Sequence, residues 1–364
     1  MRLGIVGMLP NDFRQITPLH LETLQGLGLT GASFHREGTA LTTITAAECQ
    51  RIRTIFQDVG MDLPQFGIGY RECLFDPDAA VRAQVTSKIE RGIEVAHELG
   101  AHYCLIRTGS LNPRGSYSPS ASNHTADARA RLVETLLQVA AKADAIGQTV
   151  VIETHVLTIM NSPETNAAII NEIGSDRLRI VMDYVNHFQT LAQVYDSTAR
   201  IDHIFNTMGA ISPVGHCKDI RLDDGLVLHI SEEIPGDGEL DIATVLRRWH
   251  ALYPEGYMLL EHLHAKEGIT PSNHPGLQLG WSSQEMATFD LYARGGSQCT
   301  TDRSRSRRAD HMRRTFVEAR RAAPLQILGS LFYRYRDTSG KKTKLSPALV
   351  GADGARAKSM VKFE

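Results

Sequence analysis

The chain has 364 residues, 42% of them hydrophobic and 22% charged, with a formal net charge of −2, a balance that excludes a disordered or fibrous polymer and suits a globular core. No run approaches the roughly 18 consecutive apolar residues of a membrane span. The start "MRLGIVGMLPND" lacks the features of a secretory signal, and the five cysteines form no CxxC pair, so a reducing, cytoplasmic setting is expected.

The small net charge hides an asymmetry. Residues 301–364 hold 16 Lys+Arg against 6 Asp+Glu, leaving 23 against 35 in residues 1–300, so two parts of different character are joined.

In chain order, short apolar runs alternate with longer stretches of helical period. The runs are 2–8 ("RLGIVGM"), 29–35, 63–69, 102–109, 149–155, 178–184, 212–219 and 256–262. Stretches of helical period between them include 45–60, 79–100, 127–147, 162–174 and 241–253, and several open on Ser, Thr or Asp and close on Gly, which is cap chemistry. Eight strand–helix units in about 260 residues predict an α/β chain folded as a (β/α)8 TIM barrel. A doubly wound open sheet would place a Gly-rich phosphate turn after the first strand; here that turn reads "GMLPNDFRQ".

The barrel is expected to occupy residues 1–265. Residues 266–295 read as an irregular segment containing a candidate last helix, "SSQEMATFDLYARG". Residues 296–364 read as a basic, Arg/Ser-rich and poorly ordered C-terminal extension.

Four consecutive strands end on ionisable residues. Strand five supplies Glu153 and His155, strand six Asp183 with Asn186 and His187 after it, strand seven His216, Lys218 and Asp219, and strand eight Glu261. The C-terminal ends of barrel strands form the mouth where sites of this fold sit. Strand alternation puts Glu153 with His155, and His216 with Lys218, on common faces. If Glu153 and His216 face inward, the inward set is Glu153, Asp183, His216 and Glu261. Three carboxylates and an imidazole carry about −3, which a buried site does not tolerate without a cation. One divalent ion (Mn, Mg, Co or Zn) is therefore expected, with Lys218 offsetting part of the remaining charge. A salt-bridge network is the alternative reading of the same residues.

The stretches "VVIETHVLTIMNSPE", "IVMDYVNHF", "GHCKDIRL", "PGDGELDIATVLRRW" and "MLLEHL" resemble the xylose isomerase-like sugar phosphate isomerase/epimerase family over residues 1–264 or so. The resemblance implies a metal-dependent TIM barrel with Glu153, Asp183, His216 and Glu261 as ligands. It also implies an acid/base pair, Glu153 and Glu261, flanking a bound sugar. Three residues after the strand-six aspartate, epimerases of the tagatose 3-epimerase type carry a histidine; this chain has Asn186, with His187 next. "HCKD" resembles the HxKD of inosose dehydratase-like members, whose lysine lies in the active site.

The reaction these residues suit is proton abstraction beside a carbonyl through an enediolate, as in a sugar isomerase or epimerase. Lys218 would stabilise an oxyanion or protonate a leaving hydroxyl, which keeps an inosose dehydratase-like lyase as the alternative. A non-catalytic carbohydrate-binding barrel is a third reading. Arg107, His155, Asn186, His187 and Arg221 are candidate contacts to a small sugar or polyol-ketone. An acidic barrel would repel DNA, no membrane partner is expected, and barrel relatives often associate, which suggests a homo-oligomer.

Overall fold

The computed structural model describes residues 1–261. Its strands are β1 (Arg2–Val6), β2 (Gly31–Glu37), β3 (Gln65–Gly69), β4 (Tyr103–Arg107), β5 (Thr149–Glu153), β6 (Leu178–Met182), β7 (Val214–Cys217), β8 (Asp219–Leu222), β9 (Ile230–Glu233) and β10 (Tyr257–Leu260). Eight of them close into a barrel in the order β1-β10-β7-β6-β5-β4-β3-β2, and paired neighbours run parallel. Around it lie α1 (Pro18–Gln25), α2 (Ala46–Val59), α3 (Ala79–Leu99), α4 (Ala126–Ile146), α5 (Pro163–Ile173), α6 (Leu191–Tyr195), α7 (Ser197–Met208) and α8 (Ile242–Leu252).

Cap residues set several helix starts and stops. Thr45 Oγ1 accepts from Glu48 N at 3.3 Å while Glu48 Oε2 accepts from Thr45 N at 2.8 Å, a reciprocal capping box. Asp78, Thr125, Ser162 and Asp241 cap α3, α4, α5 and α8 through their side chains. At the other end of α4, Gly147 has φ 77°, a left-handed turn that a side chain would strain. Helices α1 and α6 were not marked in the sequence because their apolar stripes are short: α1 buries Leu21 and Leu24, and α6 only Val194. Helix α7 was not marked either, although it buries Ile201, Ile204, Phe205 and Met208.

Burial on both strand faces produces two apolar layers. Ile106, Ile152, Met182, Met258 and Leu260 belong to the large core that includes the helices. The alternate residues Leu105, Val151, Val181, Val214 and Leu259 form a separate small cluster with Val6 and Tyr257. Two residues beyond each of those five stand Arg107, Glu153, Asp183, His216 and Glu261. Period-two alternation thus stacks a layer of ionisable groups on an apolar plug, at the C-terminal mouth.

One expected strand is two elements. The run 212–219 predicts one continuous strand, but β7 ends at Cys217 and Asp219–Leu222 pairs antiparallel with β9, Asp219 opposite Glu233. Buried Asp219 causes the departure. Its carboxylate accepts from the backbone N–H groups of Ile220 (2.8 Å), Gly236 (3.0 Å), Leu240 (3.1 Å) and Gly238 (3.2 Å). The chain must fold back for "PGDGEL" to reach it. Gly238 packs so close that a Cβ there would sit 2.3 Å from Ile220 O and 2.5 Å from Asp219 Oδ1.

The segments expected at 266–295 and 296–364, with their candidate last helix and basic extension, lie outside the described residues. Among the described residues no helix is long and apolar enough to cross a membrane.

Candidate metal centre

Glu153, Asp183, His216 and Glu261 converge, each offering a ligand atom within 4.8 Å of the others'. All four are buried, Asp183 and His216 completely. His216 Nδ1 lies 2.9 Å from Glu261 Oε2 and 3.7 Å from Asp183 Oδ2. Lys218, on the same strand face as His216, brings its ammonium to 2.8 Å from Asp183 Oδ2 and 3.2 Å from Glu261 Oε2.

A ring of neighbours orients these groups. Gln65 Oε1 stands 3.2 Å from His216 Nε2, so Nε2 carries the proton it donates and Nδ1 is turned to the carboxylates. Outer partners of this kind fix the tautomer of a ligating imidazole. Asn186 Nδ2 donates to Asp183 Oδ2 at 2.7 Å and to Thr154 O at 3.3 Å. Tyr117 OH donates to Glu153 Oε2 at 3.3 Å, and Arg107 donates to the same phenol.

The donor set fits a divalent cation. Asp183 Oδ1 is buried and makes no hydrogen bond among the described residues, although such atoms are nearly always partnered in folded proteins, and His216 Nδ1 faces carboxylate oxygens, Glu261 Oε2 at 2.9 Å and Asp183 Oδ2 at 3.7 Å. Three carboxylates with one imidazole form an oxygen-rich set suited to Mg²⁺, Mn²⁺, Co²⁺ or Zn²⁺. Without an ion the charges distort one another. Burial, then the Glu261 carboxylate, raises the Glu153 carboxyl above its usual range. Burial alone would lower the His216 imidazole, but Glu261 and Asp183 overcome it and carry it up to about 10. Burial opposes ionisation of Asp183 too, yet Lys218 and His216 hold its carboxyl below the ordinary value.

A family model described as xylose isomerase-like TIM barrel matches residues 21–281. The chain belongs to the xylose isomerase-like TIM barrel family. No curated protein matches it significantly, but many solved structures share the fold. A D-psicose 3-epimerase studied with D-fructose is 18% identical, covering 87% of this chain and 99% of its own, with a TM-score of 0.55. The 3-keto-D-glucoside 4-epimerase of E. coli is 16% identical over 80% of this chain and 99% of its own, at 0.56. A xylose isomerase-like protein from Mycobacterium smegmatis in complex with magnesium is 14% identical over 81% and 96%, at 0.57.

Within this family fold, the other expected site residues fall in different places. Arg107 lies beside the cluster, its guanidinium 5.2 Å from the centroid of the Tyr117 ring. His155 stacks on that ring at 4.9 Å, and burial pushes its imidazole down to about 4. Asn186 supports Asp183 directly. His187 sits one layer out, its Nε2 3.2 Å from Thr154 Oγ1 and its own carbonyl accepting from Arg200. Arg221 is taken up within the hairpin by Asp223 at 3.0 Å and Glu233 at 2.9 Å, and none of these contacts joins it to the cluster.

Three contributors were not singled out from the sequence. Gln65 is a wholly buried polar residue inside the third apolar run, a signal that was available. Tyr117 comes from the loop after β4 and Glu232 from β9, with no periodicity to announce them. Asn123, farther along the connection between β4 and α4, is fully buried. It accepts from Leu111 N at 2.9 Å and donates to Ser110 Oγ at 3.0 Å, pinning the Tyr117 loop.

Proposed function

We propose that this protein is a divalent-metal-dependent isomerase or epimerase of a small sugar or polyol-ketone. The observation that carries the proposal is the convergence of Glu153, Asp183, His216 and Glu261 at the barrel mouth, with Asp183 Oδ1 buried and unbonded among the described residues. The epimerases among the structural neighbours support the same reading.

Glu153, Asp183, His216 and Glu261 would hold the ion, which when bound supplies Lewis-acid polarisation of a substrate carbonyl. Glu153 and Glu261 also form the acid/base pair. Burial favours the protonated form of Glu153, a direction that suits a group that gives and takes a proton at carbon or oxygen. Tyr117 orients its carboxyl through Oε2, leaving the other oxygen to act. Arg107, His155 and Asn186, which neighbour the cluster, would hydrogen-bond sugar hydroxyls; His187 and Arg221 would act only at a distance, through the residues they hold.

Lys218 favours a second reading. A buried ammonium within reach of Asp183 and Glu261 can protonate a leaving hydroxyl, which would make the enzyme a dehydratase acting on an inosose.

The test is deuterium uptake from D₂O by ketoses and inososes, with metal-stripped and Mn²⁺-loaded protein. Metal-dependent uptake at carbon without loss of water supports the isomerase or epimerase, and water loss supports the dehydratase. General acid/base groups contribute roughly 10²–10⁴-fold, so Glu153→Gln and Glu261→Gln should each lose about that much. Wild-type rates in both variants would refute the assignment.

A further inference from the structure

Lys218 occupies an unusual position for a residue beside a cation site. Its ammonium touches Asp183 Oδ2 and Glu261 Oε2 at 2.8 and 3.2 Å, and those are two of the carboxylates that would ligate the ion. A divalent cation drawn to the same two carboxylates would stand close to the ammonium, and like charges at short range in a buried site repel strongly. A third acceptor lies within reach of the ammonium: Glu232 Oε1, at 3.5 Å, on β9 of the hairpin. The Glu232 side chain is 34% exposed and the Lys218 side chain 2%.

We propose that Lys218 is a built-in counter-cation that holds Asp183 and Glu261 in the metal-free chain and moves onto Glu232 when the ion enters. The inference rests on the reading that the cluster binds a divalent ion. A four-carbon stem lets the ammonium travel while the backbone between β7 and β8 stays in place. The move leaves three carboxylates for the ion, and Glu232 keeps the displaced charge paired, so no lone buried ammonium results. Hairpin β8–β9, which the sequence did not disclose, thereby takes part in metal affinity although it supplies no ligand.

The test is calorimetric titration of MnCl₂ into the metal-stripped full chain, with melting of the metal-free protein measured in parallel. Lys218→Met should bind Mn²⁺ at least about tenfold more tightly, because a repelling charge is gone, and its metal-free form should melt lower. Glu232→Gln should weaken binding about three- to tenfold by removing the refuge for the ammonium. Most of that loss should vanish in the Lys218→Met background, as a coupled pair requires. Unchanged or weaker binding by Lys218→Met, or an equal Glu232→Gln loss in both backgrounds, would overturn the proposal. If Lys218→Met does not fold, Glu232→Gln decides alone: unchanged or tighter binding refutes it. A wild-type chain that takes up no Mn²⁺ defeats the metal reading itself, whereas uptake indifferent to Lys218 and Glu232 defeats only this inference.

Discussion

Asp219→Ala is the most direct probe of how the chain leaves the barrel after β7. The carboxylate is buried and accepts four backbone N–H bonds, those from Ile220 and Leu240 wholly buried and those from Gly236 and Gly238 partly so. A buried donor left without a partner costs about 1–3 kcal/mol. The two buried donors alone therefore give about 2–6 kcal/mol, and the other two, which recover part of their bonding from water, add little to that range. That is a large fraction of the roughly 5–15 kcal/mol that holds a typical domain folded. Asp219→Asn keeps one acceptor oxygen and should lose about 1–2 kcal/mol. Urea unfolding followed by circular dichroism gives both values, provided the slope of the transition is unchanged. Amide exchange at 236–240 should quicken in step. A loss below about 1 kcal/mol for Asp219→Ala would mean that water replaces the carboxylate, and the account of the hairpin would fail.

Three further outcomes are expected. Gln65→Leu removes the acceptor that orients His216 and should lower Mn²⁺ affinity about 10–100-fold, the usual consequence of deleting an outer-shell partner, measured by calorimetry. Tyr117→Phe deletes one hydrogen bond to Glu153 Oε2; at about 1 kcal/mol this predicts roughly fivefold lower kcat with KM little changed, read from steady-state kinetics on the substrate that the deuterium screen identifies. Burial lowers the His187 imidazole to about 4, so its contribution is complete above the unfolded value of about 6.5 and is lost as pH falls toward about 4. By about pH 4 the loss amounts to about 3 kcal/mol, and urea midpoints of the wild type and His187→Gln should differ in pH dependence by that order.

Much of the barrel was legible in the chain because its strands are buried on both faces. Runs such as "TVVIETH" and "LRIVMDY" stand out against the amphipathic stretches and their Thr and Gly punctuation. The strand ends were legible for the same reason. A carboxylate at the close of an apolar run conflicts with burial, and four such conflicts on successive strands mark one place in a closed barrel. Helices α1 and α6 were not singled out because a few buried positions leave no sustained period.

What the amino-acid sequence determined by itself was the ionisable end of four successive strands and the alternation that puts Glu153 with His155, and His216 with Lys218, on common faces, since the period of a strand is a local property of the backbone. Tertiary structure alone decided which neighbours complete that layer. Gln65 meets His216 across 151 positions of the chain, Tyr117 reaches Glu153 from a loop that Asn123 pins, and Lys218 is shared between Asp183, Glu261 and a hairpin carboxylate. Such pairings depend on how far apart groups lie in space after closure, and no local pattern encodes that distance.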